Sequence, residues 1–145
     1  MKLTLLALAL ASPLLGSCHF WGFHRPVDLP APIETTTESG VRWVDLREGR
    51  GVAIGPRSRV TVDYVGKLED GTLVDSSELR GGPLVCTLGR NEVMPGWEDG
   101  LVGMREGGRR RLTIPPSRAF GDEGVAGVIP PRATLVFEIE LLKVE

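Results

Sequence analysis

Beyond Val41 apolar and polar residues alternate along most of the chain, and the alternation breaks once. Val41 to Leu46 reads as a strand and Gly49 to Gly55 as a loop. Val60, Val62 and Tyr64 then alternate with Arg59, Thr61 and Asp63, the pattern of a strand with one buried face. Asp70-Gly71 turns that strand back into Thr72-Leu73-Val74-Asp75, a hairpin signal. Ser76 to Gly82 carries charge and glycine and reads as a surface loop or a bulge, after which Leu84, Cys86 and Leu88 share one strand face. The break comes at Val93 to Leu101, where Trp97, Leu101 and Met104 recur near helical spacing. A last strand places Leu135, Phe137, Ile139 and Leu141 on one face and Glu138 and Glu140 on the other.

A single short helix among strands serves to close an open, curved sheet. The predicted architecture is therefore α+β, a curved antiparallel sheet (a half-barrel) wrapped around one short α-helix. Trp97, in the first turn of that helix, either fills the core or floors an apolar pocket. The pattern by itself favours core filling, and a buried indole N–H ordinarily finds a partner.

Two segments between the helix and the last strand invite chemistry. Arg109-Arg110-Arg111 suggests a phosphate site, but on a strand Arg109 and Arg111 point one way and Arg110 the other, and a solvated rim is the favoured reading. Pro115-Pro116 ends this strand, because neither residue can donate to a ladder. The loop from Ser117 to Arg132 ends in Val128-Ile129-Pro130-Pro131, and apolar residues there are costly to expose, so the loop is expected to fold over something.

A length of 145 residues allows one domain with a proper core, and a net charge of −2 gives no electrostatic footprint for nucleic acid. Residues 1–17 differ from the rest. Lys2 is their only charge, and the apolar run from Leu3 to Leu15 is too short to span a bilayer but is organised as a signal peptide. Leu15-Gly16-Ser17-Cys18 resembles the lipobox of bacterial lipoproteins, which implies cleavage before Cys18 and lipid on its thiol and new amine; a plain secretory peptide is the alternative. The expected location is exported and membrane-anchored, facing the periplasm or the cell surface.

Residues 18–40 are rich in Pro, Thr and Glu and read as a tether. The 22 residues from His19 to Gly40 reach about 75 Å when extended and about 25 Å as a coil. Phe20, Trp21 and Phe23 sit beside the lipid site and either deepen the anchor at the headgroup boundary or are simply solvated. No carboxylate or thiol joins His19 and His24, five apart, and a metal site there is not expected. With Cys18 lipidated, Cys86 has no partner for a disulfide and is expected to behave as a small buried hydrophobe.

Six ordered blocks then match one known family. Val62-Asp63-Tyr64-Val65-Gly66, Gly71-Thr72-Leu73-Val74-Asp75-Ser76-Ser77, Pro95-Gly96-Trp97, Leu112-Thr113-Ile114-Pro115-Pro116, Ile129-Pro130-Pro131 and Ala133-Thr134-Leu135-Val136-Phe137 resemble the FKBP-type peptidyl-prolyl isomerases. The resemblance runs from about Val41 to Glu145 with spacing preserved, and it implies that residues 41–145 form the isomerase domain.

It also moves Trp97 from core filler to the base of a proline pocket. Tyr64, Asp75, Trp97, Ile129 and Phe137 are implied as the catalytic set, with Val74, Leu84, Val93, Met94, Phe120 and Val128 contacting substrate. By the same resemblance the Ile129 N–H meets a ligand carbonyl, and Tyr64 and Asp75 supply polar contacts. Val74 and Leu84 stand where the best-known members have Phe, Phe120 where they have Tyr, and Val125 where an aromatic or His is common. The pocket stays apolar but loses aromatic walls and one donor, so a working but modest isomerase is expected.

Rotation about an X–Pro amide makes and breaks no bond, so neither metal nor cofactor is expected. Asp75 is assigned orientation of Tyr64 or of loop polar groups, or the pinning of the hairpin end, rather than proton transfer. The implied partners are proline-containing unfolded or partly folded proteins, the membrane through the N-terminal lipid, and macrolides weakly. The rival reading is a lipid-tethered binding module that holds proline segments with little turnover.

Overall fold

The computed structural model describes residues 30–145. The expected leader, Cys18 and the rings of Phe20, Trp21 and Phe23 lie outside them. In chain order the strands are β1 (Glu34–Thr36), β2 (Arg42–Arg47), β3 (Arg59–Leu68), β4 (Leu73–Ser76), β5 (Leu84–Thr87), β6 (Arg109–Ile114) and β7 (Leu135–Val144). Among the described residues one α-helix, α1 (Pro95–Leu101), lies between β5 and β6, and one 3-10 turn spans Pro116–Arg118.

The two longest strands, β3 and β7, pair antiparallel from Val60↔Val144 to Leu68↔Leu135. The whole sheet has seven strands, ordered β1-β2-β6-β7-β3-β4, with β5 also on β3. One edge of β3 is thus shared, Arg59–Val62 pairing with β5 and Val65–Lys67 with β4. Alternation sends Val60, Val62 and Tyr64 of β3 and Leu135, Phe137, Ile139 and Leu141 of β7 to the buried face, where Trp97 and Leu101 of α1 meet them.

Pro95 starts the helix, where its missing N–H is no loss. Gly96 and Gly100, four apart on one helix face, let it lie against β6: a Cβ at Gly96 would overlap Ile114, and one at Gly100 would overlap Leu112. The helix is shorter than its apolar spacing suggested. Val93 and Met94 precede it, and Met104, still buried, follows it in a turn.

The folded chain begins before Val41. Glu34–Thr36, expected as tether, pair with β2 through Glu34↔Val44, Thr35↔Trp43 and Thr36↔Arg42. The Thr37–Val41 turn closes this hairpin by Gly40 N–H to Thr37 O at 3.0 Å and Thr37 N–H to Val41 O at 2.8 Å. Composition concealed the strand because it is short, polar and at the sheet edge, where no apolar alternation is needed. The Ser39 hydroxyl, donating to Asp99 at 2.7 Å, ties the turn to α1.

The arginine run also departs from expectation. Arg109 and Arg111 point outward and pair with Glu138 at 2.6 and 2.7 Å, as a solvated rim would. Arg110 does not, its side chain being only 4% exposed. Its guanidinium grips Asp45 of β2 at 2.6 and 3.1 Å, donates to the Gly100 carbonyl at 2.7 Å and stacks over Trp43 at 3.7 Å. The position is explained by the end of α1, whose last carbonyls need donors and whose negative pole favours a cation. Cys86 is a free, buried thiol, and burial, then Glu92 and Glu98, push its pKa up to about 11.

Candidate active site

The site grows from three rings carried by three elements. Trp97 enters from the first turn of α1, Tyr64 from the middle of β3 and Phe137 from β7. The indole stands edge-on to both neighbours, 5.1 Å and 79° from Tyr64 and 5.3 Å and 82° from Phe137. Such edge-to-face pairs fix ring orientation as well as burying area. Phe137 can lie so close to β3 because its register partner is Gly66, where a Cβ would overlap the phenyl ring.

These rings floor an open cavity of about 510 Å³. Val74, Leu84, Val93 and Met94 wall one part of it, and Phe120, Val125, Val128 and Ile129 of the long loop wall another. All eleven residues assigned to the site from the sequence meet at this one cavity, and Val125 lines it as well. Arg80 and Glu92 also line it and were not named as site residues.

The polar side of the cavity is one connected cluster. The Tyr64 hydroxyl donates to Asp75 Oδ2 at 2.9 Å, Arg80 Nε donates to both carboxylate oxygens at 3.1 and 2.9 Å, and the Ser76 N–H donates at 2.9 Å. Burial acts to raise the Asp75 pKa, but Arg80 and Tyr64 outweigh it and hold the carboxyl below its ordinary value. Burial first, and then the bond to Asp75, raises that of Tyr64. A half-buried carboxylate in β4 needs a countercharge, and Arg80 in the charged loop that follows was the signal for it.

The long loop is held by its own backbone. Arg132 N–H donates to Gly121 O at 2.9 Å, and Val125 and Ile129 exchange two bonds of 2.8 Å. Ile129 is buried under this tip while Val128 is half exposed at the rim. The Trp97 indole N–H has no hydrogen-bond partner among the described residues, contrary to the expectation for a buried indole; its neighbours Tyr64 and Phe137 meet it as rings.

Residues 51–142 match the model of one protein family, FKBP-type peptidyl-prolyl cis-trans isomerase. The chain belongs to this family. The FK506-binding protein of Neisseria meningitidis serogroup B is 53% identical over 100 residues, covering 69% of this chain and 92% of that one. FK506-binding protein 1 of Debaryomyces hansenii is 46% identical over 117 residues, covering 80% of this chain and 99% of that one. Among solved structures, AtFKBP13 aligns with a TM-score of 0.72 at 36% identity, over 78% of this chain and 99% of that one.

One role implied for this FKBP-type site does not fit the geometry. The Ile129 N–H is not a free donor, since it donates to the Val125 carbonyl at 2.8 Å within the loop tip. The Met94 N–H, just ahead of α1 at the cavity wall, donates to no group among the described residues. Ile129 therefore contributes apolar surface, and the Met94 N–H is one backbone donor at the cavity wall that has no partner among the described residues.

Proposed function

We propose that this isomerase accelerates rotation about X–Pro bonds in unfolded or partly folded exported proteins, working at the cell envelope from a lipid at Cys18. The observation that carries the catalytic part is the open apolar cavity floored by Trp97 between Tyr64 and Phe137. The location rests on the order of charge, apolar run and Leu15-Gly16-Ser17-Cys18 in the sequence.

A planar X–Pro amide is held by resonance against a barrier of about 18 to 20 kcal/mol. Twisting it removes resonance and with it part of the negative charge on the carbonyl oxygen. Transfer from water to a dry cavity therefore penalises the planar amide more than the twisted one, which is differential binding of the transition state. Trp97, Phe137, Ile129, Val93 and Val74 supply the dry surface, and the prolyl ring seats on the indole. The Met94 N–H takes a carbonyl of the bound chain and so fixes which side of the amide turns. Asp75, engaged by Tyr64, Arg80 and the Ser76 N–H, shapes the polar wall and moves no proton.

A specific observation favours the second reading, a binding module with little turnover. Val74 and Leu84 leave the β4 and β5 side of the cavity without aromatic walls. Turnover of a short X-Pro peptide series by the full-length chain separates the two. Turnover that falls about ten-fold or more in Trp97→Leu and Phe137→Ala supports the isomerase assignment of the cavity. Binding of the same peptides without turnover would support the module. The relatives' name, FK506-binding protein, supports a further expectation: the macrolide competes with peptide for this cavity, weakly because of the missing walls.

A further inference from the structure

A second hollow lies beside the prolyl cavity and shares a wall with it. Its volume is about 530 Å³, and it is lined by Arg57, Arg59 and Arg90 together with Val85, Thr87 and Glu92. Glu92 lines the prolyl cavity as well, so the two spaces adjoin across one side chain. We propose that this hollow is an accessory substrate subsite, which holds an acidic side chain of the same client segment whose proline occupies the main cavity. The proposal rests on the isomerase reading and names the substrate class it prefers: proline segments flanked by Asp or Glu.

The charge arrangement is what singles it out. Most arginines among the described residues are tied to a carboxylate or carbonyl: Arg42 to Glu34, Arg47 to Glu140, Arg80 to Asp75, Arg109 and Arg111 to Glu138, Arg118 to Asp99. Around this hollow Arg57 and Arg90 make no ion pair or side-chain hydrogen bond among the described residues, and Arg59 reaches Glu145 only at 3.9 Å. Glu92, the one carboxylate in the wall, has its Oε2 occupied by the Thr87 N–H at 2.7 Å. Three arginines thus line one hollow with their donors largely unspent, which is the complement of a carboxylate.

The backbone provides a path between the two spaces. β5 pairs only with β3 among the described strands, so its outer edge has no strand partner, though Glu92 takes the Thr87 N–H there, and half-exposed Val85 lies along it. An extended segment leaving the prolyl cavity past Glu92 meets this edge and then the arginines. At about 3.3 Å per residue, an acidic side chain a few positions from the proline spans the step.

The experiment uses the full-length chain and matched X-Pro peptides that carry Glu or Gln two to five positions before or after the proline. The expected result is a kcat/KM for the best-placed Glu peptide about five-fold above its Gln partner at low salt. That ratio should fall towards one at about 0.5 M salt, where exposed charges are screened. It should also fall towards one in Arg57→Asn/Arg59→Gln/Arg90→Gln and partway in Arg90→Gln alone. Asn is chosen at Arg57 because that residue has φ 60°, a conformation Asn tolerates. A ratio of one in the parent at every placement, or a preference that survives the triple substitution, overturns the proposal. So does a ratio of one joined to arginine-dependent binding of anionic phospholipid vesicles, which would assign the hollow to a membrane surface. Loss of turnover on the Gln peptides themselves would instead count against the isomerase reading.

Discussion

Tyr64 donates its hydroxyl to Asp75 at 2.9 Å while Arg80 closes on the same carboxylate at 2.8 Å, so one wall of the cavity is a neutral phenol backed by an ion pair. The folded Asp75 carboxyl lies below its ordinary value of 3.8, so its contribution to stability is complete above the unfolded value and is lost as pH falls through the folded one. The folded Tyr64 hydroxyl lies above 10.0, so its contribution is complete below the unfolded value and is lost as pH rises through the folded one. The expected outcome is a kcat/KM flat from about pH 5 to pH 9. A limb near neutral pH in that profile would mean that a titrating group takes part in the reaction. Tyr64→Phe, which removes the bond and leaves the ring, should cost about 1 kcal/mol in a denaturant titration and change turnover by less than about three-fold.

Gly66 and Phe137 form a second testable pair, because the ring occupies the volume a Cβ would need. Gly66→Ala should push Phe137 off Trp97, costing about 1 to 3 kcal/mol of stability and about ten-fold in turnover. Near-ultraviolet circular dichroism reads the ring displacement directly. An alanine variant with parental spectrum and rate would show that β3 relaxes around the extra carbon.

Arg110 predicts a stability effect without contact with substrate. Its removal leaves Asp45 and the end of α1 without their donor, and Arg110→Ala should cost about 3 kcal/mol, near the low end for a buried pair because Asp45 is 28% exposed. Arg110→Lys should recover only part of this, since an ammonium can neither fork onto the carboxylate nor stack flat on Trp43. Arg109→Ala, on the solvated face, should cost under about 1 kcal/mol by thermal or denaturant unfolding.

Leu84 and Val74 carry the remaining prediction. If the missing aromatic walls limit transition-state binding, Val74→Phe/Leu84→Phe should raise kcat/KM by about ten-fold on X-Pro peptides and tighten macrolide competition in parallel. An unchanged rate would place the limiting step outside the cavity walls.

Much of this site is legible in the sequence because it rests on long periodic strands. Tyr64 and Phe137 fall on the buried face of β3 and β7 by simple alternation, and the opening of one helix marks Trp97. The parts that were not legible depend on contacts distant in the chain. Arg110 is buried because Asp45, 65 residues away, and the helix end converge on it, which local periodicity cannot register. β1 is too short and polar to show alternation. The engagement of the Ile129 amide reflects the closing of a five-residue tip by its own backbone, which apolar composition does not encode.

The junction of β1 with β2 also bears on how a pull on the N-terminal side would travel. Load arriving at Ile33 falls first on three residue pairs at the outermost edge, which open one after another rather than together. β6 and β7 stand between that edge and the strand that carries Tyr64. A tug that peels β1 is thereby dissipated with β2 and β6 still standing between it and β7, the strand that brings Phe137 to the indole-floored chamber, like a tear-strip that gives way before the package does.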